Sequence, residues 1–120
     1  MAEHNDTGTK GEQLAAEFLE KKGYTILETN WRFNHLEADI IAKQAKTLVV
    51  AEVKTRRSNY FGEPETFVTK QKQKNLIKAA NEYVERYKLD VEVRFDIISI
   101  ILGNNQMKIN HIEDAFYATL

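Results

Sequence analysis

Four charged residues set into two apolar runs have the types and spacing for metal-assisted phosphodiester chemistry. Glu37 and Asp39 lead into Ile40-Ile41-Ala42, and Leu48-Val49-Val50-Ala51 runs into Glu52-Val53-Lys54. Charged side chains are disfavoured inside apolar strands unless something pairs them. Side chains alternate faces along a strand, so Glu37 shares a face with Asp39, and Glu52 with Lys54. The polar stretch Gln44-Ala45-Lys46-Thr47 predicts the turn that joins the two strands. Folding symmetrically about that turn sets Asp39 opposite Glu52 and Glu37 opposite Lys54.

Like charges directly across a strand pair destabilise a sheet, so the two acids call for a cation or a proton between them. A hard divalent ion such as Mg²⁺ takes one or two carboxylates and keeps water and substrate phosphate as its other ligands. Lys54 would add a fixed positive charge beside it. Such a site can activate a water and offset the charge that develops on a phosphodiester. The plainer alternative is a set of ion pairs at a strand end, Glu37 with Lys54 and Asp39 with another base. A register slip of one residue would move one strand's charges to the other face.

Three elements must position these residues. A helix is expected from Asp6 or Thr7 to Lys22, with Leu14, Ala15, Phe18 and Leu19 as its apolar stripe and Gly23 as its stop. Glu12 lies on the flank of that stripe and either points toward the acidic pair or stands exposed. Tyr24–Glu28 reads as a first strand, and Asn30–His35 as a connection or a strand extension. Residues 56–64 have loop character, with Tyr60 and Phe61 as a stacking surface for a bound strand or as packing beneath the loop. A long helix then runs from Thr66 or Thr69 to Tyr87, its first half carrying Lys70, Lys72, Lys74 and Lys78. Cations there oppose the helix dipole, which suggests an anionic partner. Glu92–Leu102 and Met107–Ile112 flank the turn signal Gly103-Asn104-Asn105 and predict a closing hairpin. A mixed sheet with a helix on each face accounts for central strands that are apolar on both sides.

The 120 residues suit one domain, and 42% hydrophobic with 29% charged residues is the composition of a globular protein. Residues 1–5 are expected to form a disordered tail. No cysteine is present, which excludes disulfides, thiolate metal sites and cysteine nucleophiles, and rules out a zinc deaminase despite His35-Leu36-Glu37. No apolar run reaches membrane-span length and no signal-peptide core is visible, so a cytoplasmic protein without a membrane partner is expected. The net charge of −1 does not suit a general DNA binder. Its distribution is uneven. Residues 54–78 hold seven basic side chains against Glu63 and Glu65. A basic lobe beside an acidic site is a layout that a phosphodiester would favour.

Gly8 to Glu12 with Ala15, Ala16 and Leu19, then Gly23-Tyr24 and Asn30-Trp31-Arg32, form the first part of a wider pattern. Glu37-Ala38-Asp39-Ile40-Ile41-Ala42 and Val50-Ala51-Glu52-Val53-Lys54-Thr55-Arg56 continue it, with Arg94-Phe95-Asp96 and Asp114-Ala115-Phe116 at the end. In this order the residues resemble the YraN family, small bacterial proteins similar to archaeal Holliday-junction resolvases within the PD-(D/E)XK nuclease fold. The resemblance implies an α/β, restriction-endonuclease-like core over residues 1–120. It also implies Mg²⁺- or Mn²⁺-dependent phosphodiester cleavage. Carried over by position, Asp39 and Glu52 would hold the metal, with the Val53 carbonyl as a further ligand. Lys54 would position the attacking water or stabilise the transition state, and Glu12 would complete the site from the helix. Thr55 and Arg56 would meet phosphate oxygens, and Gln71 or Lys74 would approach from the long helix. Leu36 stands where the family has glycine, and Ala38 where it has isoleucine; neither touches the metal residues.

The expected function is a metal-dependent endonuclease acting on structured or branched DNA. Symmetric cleavage of a junction would call for a homodimer. The rival is a nucleic-acid-binding or assembly module that keeps the nuclease fold without useful turnover. A third reading is a structural protein whose acids are merely ion-paired.

Overall fold

In the computed structural model, which describes residues 3–118, two helices pack on opposite faces of a five-stranded sheet. The elements are α1 (Glu3–Lys21), β1 (Thr25–Phe33), β2 (Leu36–Gln44), β3 (Thr47–Arg57), α2 (Lys70–Tyr87), β4 (Glu92–Leu102) and β5 (Met107–Phe116). The strands lie in chain order. Neighbours are antiparallel except β3 and β4, which run parallel. A parallel pair needs a crossover, and α2 is that crossover. This is the α/β mixed sheet flanked by helices that the sequence predicts.

Central strands covered on both sides must be apolar on both sides. Ile41, Leu48 and Val50 pack with Leu76, Ala79 and Tyr83 beneath α2. Ile40, Ala42, Val49 and Ala51 pack with Ala15, Leu19, Ile98 and Ile100 beneath α1. Leu19 and Leu76 are almost wholly buried, each burial being worth about 1.5–3 kcal/mol against exposure. Gly23 ends α1 at φ +96°, a backbone shape glycine adopts freely. Thr69 caps α2, its hydroxyl accepting the Lys72 amide N–H at 3.1 Å.

Several boundaries differ from expectation, each for a local reason. The first helix begins at Glu3, before Asp6; Met1 and Ala2 of the expected tail lie outside the described residues. The first strand extends to Phe33, because a bulge between Ile26 and Glu28 and the left-handed Asn30 break the alternation that reveals a strand. The last strand extends to Phe116, past a bulge opposite Phe95–Ile97 and the left-handed Asp114. No helix among the described residues is long and apolar enough to cross a membrane.

Candidate metal centre

The β2–β3 hairpin takes the register expected from its turn. Gln44 pairs with Thr47, and the ladder runs through Ile41–Val50 to Ile40–Ala51, where it stops. Beyond that point β2 continues beside β1 to Leu36, while β3 continues beside β4 to Arg57. The two strands therefore fork. Asp39 and Glu52 are the first residues past the last pair, one on each arm.

Both acids are mostly buried, and they stand close enough to share a hydrogen bond. Asp39 Oδ2 accepts the Val53 amide N–H at 2.9 Å, which bridges the fork and aims the carboxylate at β3. Burial, followed by the neighbouring Glu52 charge, pushes the Asp39 carboxyl up to about 7. Burial also raises Glu52, opposed by the Lys72 ammonium and by a hydrogen bond from Asp39. The buried pair thus holds on to a proton well above the ordinary carboxylate range. Glu52 Oε2 meets Lys72 Nζ at 3.6 Å. Glu52 Oε1 is buried with no hydrogen-bond partner, alone in this among the described residues. A buried carboxylate oxygen without a donor is costly, and a divalent cation is the partner that satisfies it most directly.

Asp96 gives the contrast. It too is an acid in an apolar strand, fully buried in β4. Arg94 Nε and Nη2 each reach it at 2.9 Å, His111 Nε2 at 2.7 Å and the Asp114 amide N–H at 3.0 Å. Burial raises its pKa, but these donors more than offset it and hold the carboxyl below the usual range. Asp96 is a satisfied structural acid; the Asp39–Glu52 pair is not.

The remaining site residues divide. Glu12, Glu52, Val53, Lys54, Thr55 and Arg56 line one cleft of about 580 Å³ on the α1 side of the fork. Gly11 sets the helix there: a Cβ on it would stand 1.8 Å from Thr55 Oγ1, so only glycine lets α1 approach β3 this closely. Glu12 is held above the ordinary range, first by burial and then by the Asp39 and Glu37 charges, with Asn30 opposing. It does not complete a three-acid set, for no group of three metal-ligating side chains exists among the described residues. Lys54 Nζ donates to the Phe67 carbonyl and lies over the Phe67 ring at 5.8 Å. Arg56 Nη1 donates to the Glu63 carbonyl, its guanidinium 5.1 Å from the Tyr60 ring.

One expected pairing is corrected. Glu37 does not meet Lys54, because the strands have separated; it pairs with Arg32 across β1 at 3.1 Å. Gln71 bonds Asn75 at 3.1 Å on the exposed side of α2, and Lys74 is exposed; neither lines the cleft. Lys72 is the α2 residue that reaches the acids. Its location was readable in principle. It stands three residues after a threonine cap, and helical side chains lean toward the N-terminus, here over the end of the sheet.

Fold and site together define an α/β protein with a mixed sheet between two helices and an under-neutralised carboxylate pair where two central strands part. The description "Uncharacterised protein family UPF0102" matches residues 11–100. A UPF0102 protein of Flavobacterium psychrophilum is 56% identical over 117 residues, covering 98% of each chain. One from Christiangramia forsetii is also 56% identical over 117 residues, again covering 98% of each. One from Bacteroides thetaiotaomicron is 46% identical over 120 residues, covering 100% of this chain and 99% of its own. The chain belongs to the UPF0102 family, the YraN family that its motifs resemble.

Proposed function

We propose that this protein is a metal-dependent endonuclease that hydrolyses phosphodiesters in structured or branched DNA. The observation that carries the reading is the partnerless Glu52 Oε1 beside a raised Asp39 carboxyl at the fork. Two carboxylates and the Val53 carbonyl fit a hydrated Mg²⁺ or Mn²⁺, which keeps several of its waters. When bound, such an ion supplies Lewis acidity and lowers the pKa of water. The chain's residues do the rest. The Val53 amide orients Asp39, and burial keeps bulk water from screening the acids. Thr55 and Arg56, lining the cleft, offer donors to phosphate oxygens, and Lys54 offsets charge at the reacting group once it leaves the Phe67 carbonyl. A cytoplasmic setting and a homodimer belong to the same proposal.

Asp39→Asn and Glu52→Gln should each lower Mg²⁺-dependent cleavage of a four-way junction by about a hundredfold or more while the protein stays folded. Undiminished cleavage by either variant would overturn the proposal. The second reading is a nucleic-acid-binding module without turnover, favoured by Lys54's engagement with the Phe67 carbonyl. It wins if the purified protein binds DNA in a salt-dependent manner and cleaves nothing with Mg²⁺ or Mn²⁺.

A further inference from the structure

Lys72 comes from outside the hairpin and meets only one of the two acids. Its ammonium stands 3.6 Å from Glu52 Oε2, a loose contact without the short geometry of a charge-assisted hydrogen bond. Its side chain is 42% exposed, whereas that of Glu52 is 13% exposed, so the lysine is free to leave and the acid is not. A small recess of about 150 Å³, lined by Glu52, Lys54, Phe67 and Lys72, opens on the same side. The other oxygen of Glu52 is buried with only the neighbouring Asp39 carboxyl to turn to. One loosely held ammonium on Oε2 therefore leaves the other oxygen of this buried carboxylate unsatisfied.

We infer that Lys72 is an internal competitor for the metal: its ammonium stands in for the ion on Glu52 and withdraws when a divalent cation binds. The inference rests on the proposed metal site and adds a property to it. An ion on the carboxylate repels the ammonium beside it, and the loosely held, exposed Lys72 is the partner that can move away. The freed side chain, anchored on the first turn of α2, then stands at the rim of the site, where an incoming phosphate would meet it. The protein would bind its ion weakly alone and more tightly with DNA present, because the phosphodiester gives the displaced lysine a new partner.

The test is Mn²⁺ titration of the purified full-length protein by calorimetry, without DNA, at a fixed pH of about 8. Lys72→Met keeps the bulk of the side chain and removes its charge. It should tighten Mn²⁺ binding by about tenfold, the size expected for losing one unit charge at a partly exposed site. Lys72→Arg keeps the charge and should bind Mn²⁺ no more tightly than wild type; Lys78→Met, on exposed helix surface, should match wild type. Wild-type binding that is unchanged or weakened in Lys72→Met overturns the competitor and leaves the metal site standing. So does equal tightening in Lys72→Arg. If neither wild type nor Lys72→Met binds Mn²⁺, the metal site itself fails and the competitor with it.

Discussion

Asp39 and Asp96 begin in the same circumstance, an acid within an apolar strand, and end in opposite states. Asp96 meets four donors and is held ionised; Asp39 meets one backbone N–H and another acid and is pushed up to about 7. Residue spacing alone cannot tell them apart, because the donors of Asp96 come from β5 as well as from its own strand. The difference has a measurable sign. Unfolded, Asp39 ionises in the ordinary carboxylate range; folded, it keeps its proton until about pH 7. Between those values the folded chain binds the extra proton, so its contribution to stability falls as pH rises and levels off above 7. Thermal melts of metal-free protein should show Tm of wild type dropping, relative to Asp39→Asn, from pH about 4 to about 7. A difference that stays flat across that window would count against the raised carboxyl. Asp96→Asn should instead cost about 3–5 kcal/mol by leaving Arg94 and His111 poorly paired, with Mn²⁺ binding unaffected.

At the scale of elements, the hairpin was legible and its neighbours less so. A short turn between apolar runs is symmetric, and counting outward from it gives the observed register down to Ile40–Ala51, with Asp39 and Glu52 next on the two arms. Counting further fails at Glu37, because pairing stops at Ile40–Ala51 and a residue count carries no trace of where strands part. The first strand was half-hidden by a bulge and by left-handed Asn30, and Lys72 by lying among lysines of similar spacing. The seat of α1 on β3 depends on Gly11. Gly11→Ala should destabilise the protein by about 1–3 kcal/mol, and Thr55→Ala, which removes the closest atom, should restore part of that in the double variant. Additive losses, read by denaturant unfolding, would mean the contact is not what positions the helix.

Over the whole molecule, charge is nearly balanced, so any affinity for DNA must be local. The cleft beside the acids adjoins a second of about 690 Å³ that reaches the β4–β5 turn. Thr7 and Arg57 line both, and Lys10, Asn104 and Gln106 line the second. On the proposed reading this is the path of a substrate strand. Arg57→Glu and Lys10→Glu should each weaken junction binding at low salt and reduce the slope of log affinity against log salt by about one. Unchanged slopes would move the path elsewhere. Sedimentation should find a dimer with or without DNA, since a persistent monomer is at odds with paired cuts across a junction.

The double-sided apolar character of β2 and β3 carries one more consequence. A strand that is greasy on only one side resists sliding, because a shift of one position turns its oily residues outward. These strands lack that safeguard: Ile40, Ile41, Ala42, Val49, Val50 and Ala51 are all fully enclosed whichever way they point. Alignment is kept by small fastenings instead, namely the tight bend at Ala45–Lys46, the Lys46 carbonyl tied to the Glu92 amide at 2.8 Å, and Asp39 tied to Val53 at the far end. Lengthening that bend by one residue would keep the strands enclosed while the two acids no longer meet.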